Sequence, residues 1–177
     1  MRTIVEPKRR GIEHCYRAFA CWAARRAGTG TRPGRWRVVA VVERYLRGVI
    51  EFEEVRAVRA RATGGVAGAG VCGLPSYLPV AAIQIADFHT ANESAPEAAR
   101  LAMYFAARAA GFKLFEEAFA VTGHDPYAQG YAARRCEFAR QQPHILLAGE
   151  ATERAILTGE LKSWLTQCGA GLHDEQG

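Results

Sequence analysis

What the chain lacks narrows its class first. No run of eighteen apolar residues occurs, so no membrane-spanning helix is expected. The opening MRTIVEPKRRGIEHC has charge, but neither the apolar core nor the small-residue cleavage site of a secretory signal, so the expected location is the cytoplasm. No C-x-x-C pair is present, and the cysteines are odd in number: Cys15, Cys21, Cys72, Cys136 and Cys168. Reduced, partly buried thiols are the expectation for such a chain. Lysine is nearly missing, 3 residues against 20 Arg, and together with abundant Ala this reads as GC-rich coding rather than selection for phosphate binding.

Catalytic signatures are also missing. GTGTRPG, residues 28–34, has no P-loop lysine, and GGVAGAGVCG, residues 64–73, is not a dinucleotide fingerprint placed between strand and helix. H-E-x-x-H and the G-x-S-x-G elbow do not occur. His14 and Cys15 are neighbours on a helix and point apart, as do Glu116 and Glu117, about 100° from each other. No cofactor and no metal is expected.

What is present is a globular composition, 49% hydrophobic and 23% charged over 177 residues, enough for one domain with a real core. The expected fold is all-α: a compact single-domain bundle of about seven helices around a long central helix. Residues 1–11 read as a basic arm, 12–168 as the helical domain, and 169–177 as a flexible tail.

Ser94–Gly123 is the central helix. Ser94 and Glu97 have capping-box spacing, Pro96 fits the first turn, and Gly123 with Pro126 stops the helix. One apolar face runs through Ala98, Leu101, Phe105, Phe112, Phe115 and Phe119, and a second through Met103, Ala107, Ala110, Leu114, Ala118 and Val121. Gly111 either divides the helix or lets a neighbour pack closely. Arg108 breaks the first stripe. It either snorkels at the bundle edge, pairs with Asp87 or Glu137, or faces a partner.

Around it, a first helix is expected from Ile12 to Arg26, with Ile12, Cys15, Tyr16, Phe19, Trp22 and Ala23 inward and Arg17, Arg25 and Arg26 outward. Helices at Arg35–Arg47 and Phe52–Thr63 follow, then a flexible loop over 64–73. The segment introduced by Pro75 and Pro79, to about Thr90, alternates like a strand in IQIADF but is read as a buried helix. Asp125 and Pro126 should start a helix to Gln141, with Tyr127, Tyr131, Cys136 and Phe138 inward. The last helix, His144–Gln167, should use Ile145, Leu146, Ile156, Leu157, Leu161, Trp164 and Leu165, with breaks at Gly149 and Gly159.

Charge is uneven. Residues 1–62 carry 15 Lys/Arg against 6 Asp/Glu, and residues 63–177 carry 8 against 12. A basic surface suits an anionic partner; alternatively the two parts answer each other within one fold.

Three stretches, AFACWAARRAG, RPGRWRVVAVVERYLRGVIEFEEVRAVRARA, and AARAAG at Ala106–Gly111 followed by Tyr131–Ala133, resemble the bacterial immunity proteins of polymorphic toxin systems and related uncharacterised Ala/Arg-rich helical proteins. The resemblance covers residues 12–140. Where that family's pattern places histidines shortly after AARAAG, this chain has Phe112, and its next histidine is His124. The resemblance implies a non-enzymatic interaction protein that binds and neutralises a toxin. The expected partner-binding residues are Arg9, Arg10, Arg25, Arg26, Arg35 and Arg108. One alternative is a nucleic-acid-associated protein using the basic first third. Another is an enzyme with a site near Asp87, His89, His124 and Arg108.

Overall fold

The computed structural model describes residues 11–28, 37–71 and 78–173. Among them are seven helices and no strand: α1 (Ile12–Ala27), α2 (Arg37–Leu46), α3 (Phe52–Val71), α4 (Leu78–His89), α5 (Ala95–Ala120), α6 (Tyr131–Gln141) and α7 (Pro143–His173). The all-α bundle around a long central helix is therefore the fold.

Helix α5 is that centre, packing against α1, α4, α6 and α7. Its cap forms as the spacing predicts, with Ser94 Oγ accepting from the Glu97 backbone N–H at 3.4 Å. In place of the reciprocal half of the box, the Ser94 backbone N–H donates to Asn92 Oδ1 at 3.2 Å, and the Glu97 carboxylate is held by Arg100. Seven of the buried residues of α5 are alanines: Ala95, Ala98, Ala99, Ala102, Ala106, Ala107 and Ala109. Small side chains let three neighbouring helices approach one axis closely, which the phenylalanine stripe alone would prevent. Of the second expected face, Leu114 and Val121 are exposed.

Two registers follow from the contacts. Arg17 of α1 meets the start of α5, Ala20 meets Ala98 and Ala102, and Ala27 meets Lys113, so α1 runs parallel to α5. Helix α7 runs antiparallel to both. Thr158 meets Met103, Glu150 meets Arg108, and Leu146 meets Gly111. On α1, Trp164 packs on Phe19 and Trp22, and Glu153 pairs with Arg26. Helices α2 and α3 form a second cluster with α4 through Val38, Val39, Val42, Val55 and Ala86.

Several expectations are corrected. The glycine-rich stretch does not break α3, which runs on to Val71; extending a formed helix gains one hydrogen bond per residue, and no proline intervenes before Pro75. The described part of the segment to Thr90, Leu78–His89, is helix, as expected. Helix α6 begins at Tyr131, not Pro126. Asp125 Oδ1 accepts from Tyr127 N–H at 2.9 Å in a turn, and Gly130, at φ 80°, takes a left-handed step that a helix cannot contain. Tyr127 is consequently 95% exposed, and Cys136 is also exposed. Gly149 and Gly159 do not break α7, and Gly169–His173, expected in the tail, continue it. Ile12 and Ile156 lie outward rather than in the core. Arg17, expected outward, is 6% exposed. Its guanidinium donates to the Asn92 and Glu93 carbonyls at 2.6 and 2.7 Å and lies over the Phe52 ring. Cys15 and Cys168, expected as thiols, are joined as a disulfide. Cys72 lies outside the described residues.

Asp87 is a buried carboxylate with a structural task. Its oxygens accept from the Val38 and Val39 backbone N–H groups at 3.4 and 2.9 Å, capping α2 from another helix. Burial outweighs those two bonds and pushes its pKa from 3.8 up to about 6. Between these values the folded chain holds a proton that the unfolded chain has lost. Stability therefore falls as pH rises through this window, by on the order of 2–3 kcal/mol in total. Asp87→Asn is expected to remove that slope, read from urea midpoints across the window. His89 acts with the opposite sign. Its pKa is lowered by burial and then by Arg59, so its contribution is lost as pH falls below 6.5. It is common to both proteins, and the difference between them isolates Asp87. An unchanged slope in the variant would contradict the assignment.

Candidate functional site: the rim of the central seam

The site grows out of the α5·α7 crossing. At Gly111 the two backbones come so close that a Cβ there would lie 2.6 Å from the Leu146 carbonyl oxygen and 3.3 Å from Glu150 Cβ. Across from it, a Cβ on Gly149 would lie 3.0 Å from Gly111 Cα. Gly111 is thus the close-packing glycine, not a division of the helix. With no side chain between the helices at this point, the next residue along α7, Glu150, is drawn into the seam and buried.

Two arginines close over that carboxylate. Arg108 Nη1 donates to Glu150 Oε2 at 3.2 Å, and Arg154 Nη2 donates to Glu150 Oε1. Each guanidinium also lies on a ring: Arg108 at 5.5 Å from the Phe112 centroid, Arg154 at 5.6 Å from that of Tyr104. The Arg108 and Arg154 side chains nevertheless stay 40% and 48% exposed. The rim therefore presents two cations, fixed from beneath by one shared carboxylate and from the side by aromatic rings. Leu147 is exposed two helical turns before Arg154, on the same side of α7.

Arg108 thus pairs with neither Asp87 nor Glu137, and its partner comes from a helix that sequence spacing could not bring into register with it. Of the other arginines expected to bind a partner, Arg25 makes a two-pronged bond to Glu43 at 2.6 and 2.7 Å, and Arg26 does the same to Glu153 at 2.6 and 3.3 Å. Arg9, Arg10 and Arg35 lie outside the described residues. Arg26–Glu153 and Arg56–Glu93 both join the basic first third to the acidic remainder, the internal neutralisation that the uneven charge allowed.

Asp87, His89, His124 and Arg108 are each engaged elsewhere. Asp87 caps α2, His89 stacks on Phe105 at 5.4 Å, the exposed His124 leans on Phe119, and Arg108 sits on Glu150. Among the described residues no three His, Cys, Asp or Glu side chains gather as metal ligands would. A hollow of about 240 Å³ opens between α1, α5 and α7, lined by Arg26, Ala27, Ala106, Ala110, Lys113 and Glu153. Lys113 donates there to the Ala27 carbonyl at the end of α1, and burial lowers its pKa.

Sequence reasoning missed Arg135. It is 2% exposed, over the Phe115 ring and paired with Glu116, and it pins α6 to the end of α5 beside Phe119, Tyr131 and Phe138. The available signal was the turn: once α6 starts at Tyr131, Arg135 shares a face with Tyr131 and Phe138 at steps of four and three.

Comparison with protein-family models, curated proteins and solved structures finds no match for this chain.

Proposed function

We propose that this chain is a non-enzymatic, helical protein-interaction domain, an immunity protein that binds and neutralises a cognate toxin in the cytoplasm. The observation carrying the proposal is the clamped pair Arg108 and Arg154, held by Glu150, Phe112 and Tyr104 while remaining half-exposed. Arginine and tyrosine, with tryptophan, are the residues enriched at interface hot spots. Long side chains ordinarily lose rotamer freedom on binding; these have already lost much of theirs on folding. The partner face that complements them is acidic, with carboxylates able to reach the outward edges of both guanidinium groups and an apolar spot for Leu147.

Co-expression with the toxin encoded beside the gene tests the reading. Protection of growth and a complex that survives gel filtration are the expected results. Neither protection nor complex would reject it. Salt-sensitive binding to duplex DNA, with no protein complex, would instead favour the nucleic-acid alternative.

A further inference from the structure

Cys15 is buried on α1, and Cys168 is half-buried near the end of α7. A disulfide joins them across 153 positions of chain, with the Cα atoms 6.7 Å apart. The bond extends the α1·α7 seam by one turn. Phe19 lies four residues after Cys15, Trp164 four before Cys168, and the two rings pack edge to face at 5.9 Å. Among the described α7 side chains, Leu161 and Trp164 are the last packed against the main core cluster. Next to Cys168, a Cβ added to Gly169 would meet nothing within 4 Å. The two sulfur-bearing residues thus stand in unlike surroundings, Cys15 in the core and Cys168 partly open to solvent.

We infer that Cys168 is a site of thiol–disulfide exchange, and that the Cys15–Cys168 bond is a redox latch on the last turns of α7. This inference is independent of the proposed function. The co-reactant is a low-molecular-weight thiol of the glutathione class. Its thiolate attacks Cys168 Sγ from the open side, since attack on Cys15 would have to come through the core. The S–S bond breaks, and its electron pair leaves on Cys15 Sγ, which takes a proton from water. Cys168 is left as a mixed disulfide. A second thiolate attacks the outer sulfur of that adduct, releasing Cys168 as a thiolate that is then protonated. Two thiols have become one small disulfide, and the protein disulfide two thiols. Once released, the turns after Trp164 fray while the seam up to Trp164 stays packed, because rings and not the bond hold it.

The test uses the air-oxidised full chain carrying Cys72→Ser and Cys136→Ser; the second removes the exposed free thiol among the described residues. The chain is treated with limiting glutathione, quenched, alkylated and mapped by mass spectrometry. The expected result is a Cys15–Cys168 cross-linked peptide before treatment, then glutathione on Cys168 about tenfold over Cys15. Hydrogen exchange after full reduction should rise from about residue 165 to 173 only, and Cys168→Ser should show the same rise without reductant. The inference is overturned by absence of the cross-linked peptide, by glutathione mainly on Cys15, or by exchange that rises throughout α7 or nowhere.

Discussion

Phe19→Ala is expected to cost about 3–5 kcal/mol of folding free energy. The Phe19 ring is fully buried, within 5.6 Å of Trp22 and 5.9 Å of Trp164, centroid to centroid, and it belongs to the cluster that joins α1, α4, α5 and α7. The buried members of that cluster on α5 are alanines, whose short side chains cannot move into the space that the ring leaves. A domain of this kind has roughly 5–15 kcal/mol in total, so the loss brings it near the unfolding threshold. Urea unfolding under oxidising conditions, with the disulfide intact in both proteins, measures it. A loss under about 1 kcal/mol would mean that the α1·α7 seam is not where the core is held.

Gly111→Val should be the second large effect, at about 3 kcal/mol or more. The comparison with Gly159→Ala makes the cause visible. In an open helical position, replacing Gly with Ala gains about 1 kcal/mol of helix propensity. Gly159 is such a position, with nothing within 4 Å of an added Cβ, and Gly159→Ala is expected to stabilise by that amount. At Gly111 the added Cβ meets backbone, the Leu146 carbonyl oxygen at 2.6 Å, which no side-chain rotation can relieve. The helices must part, and overpacking of about 1–3 kcal/mol exceeds the propensity gain even for Ala. The two further methyl groups of Val push directly into α7. Separation would also pull Glu150 out of the seam, loosening Arg108 and Arg154 together. Midpoints shifting the same way in Gly111→Ala and Gly159→Ala would contradict the close crossing.

The sequence made the framework of helices readable because it carries strong local signals. Ser94 caps its helix, apolar residues recur at helical spacing, and Phe19, Val39, Val42, Val55 and Leu157 are buried, with Trp22 half-buried, as their positions suggest. What was not readable is what local signals do not encode. Asp87 reads as a candidate acid until α2 is seen to begin on it. Arg17 reads as an outward charge, but the unsatisfied carbonyls at Asn92 and Glu93 belong to a distant turn. Glycine carries two opposite meanings: Gly64 and Gly65 were expected to break a helix and do not, while Gly111 permits a contact. Cys15 and Cys168 stand 153 positions apart, and only the antiparallel register of α1 and α7 brings them together.

The candidate site was legible in one residue. Arg108 stood out as a charge on an apolar stripe, and it is one of the two clamped cations. Glu150 and Arg154 gave no such signal, since charges four apart on a helix are ordinary. Their meaning depends on the Gly111–Gly149 crossing, which sets Glu150 opposite Arg108.

The rim is the proposed partner-binding surface. Calorimetry of the cognate toxin against the chain carrying both Arg108→Gln and Arg154→Gln, beside the unsubstituted protein, probes it. Glutamine keeps a donor but carries no charge, so the free chain should fold but melt lower, with the Glu150 carboxylate less well compensated, and binding is compared well below its melting temperature. Two hot-spot arginines lost together are expected to weaken binding by at least about 30-fold. An affinity unchanged within a factor of about two, in a variant that is folded at the temperature of measurement, would place the interface elsewhere.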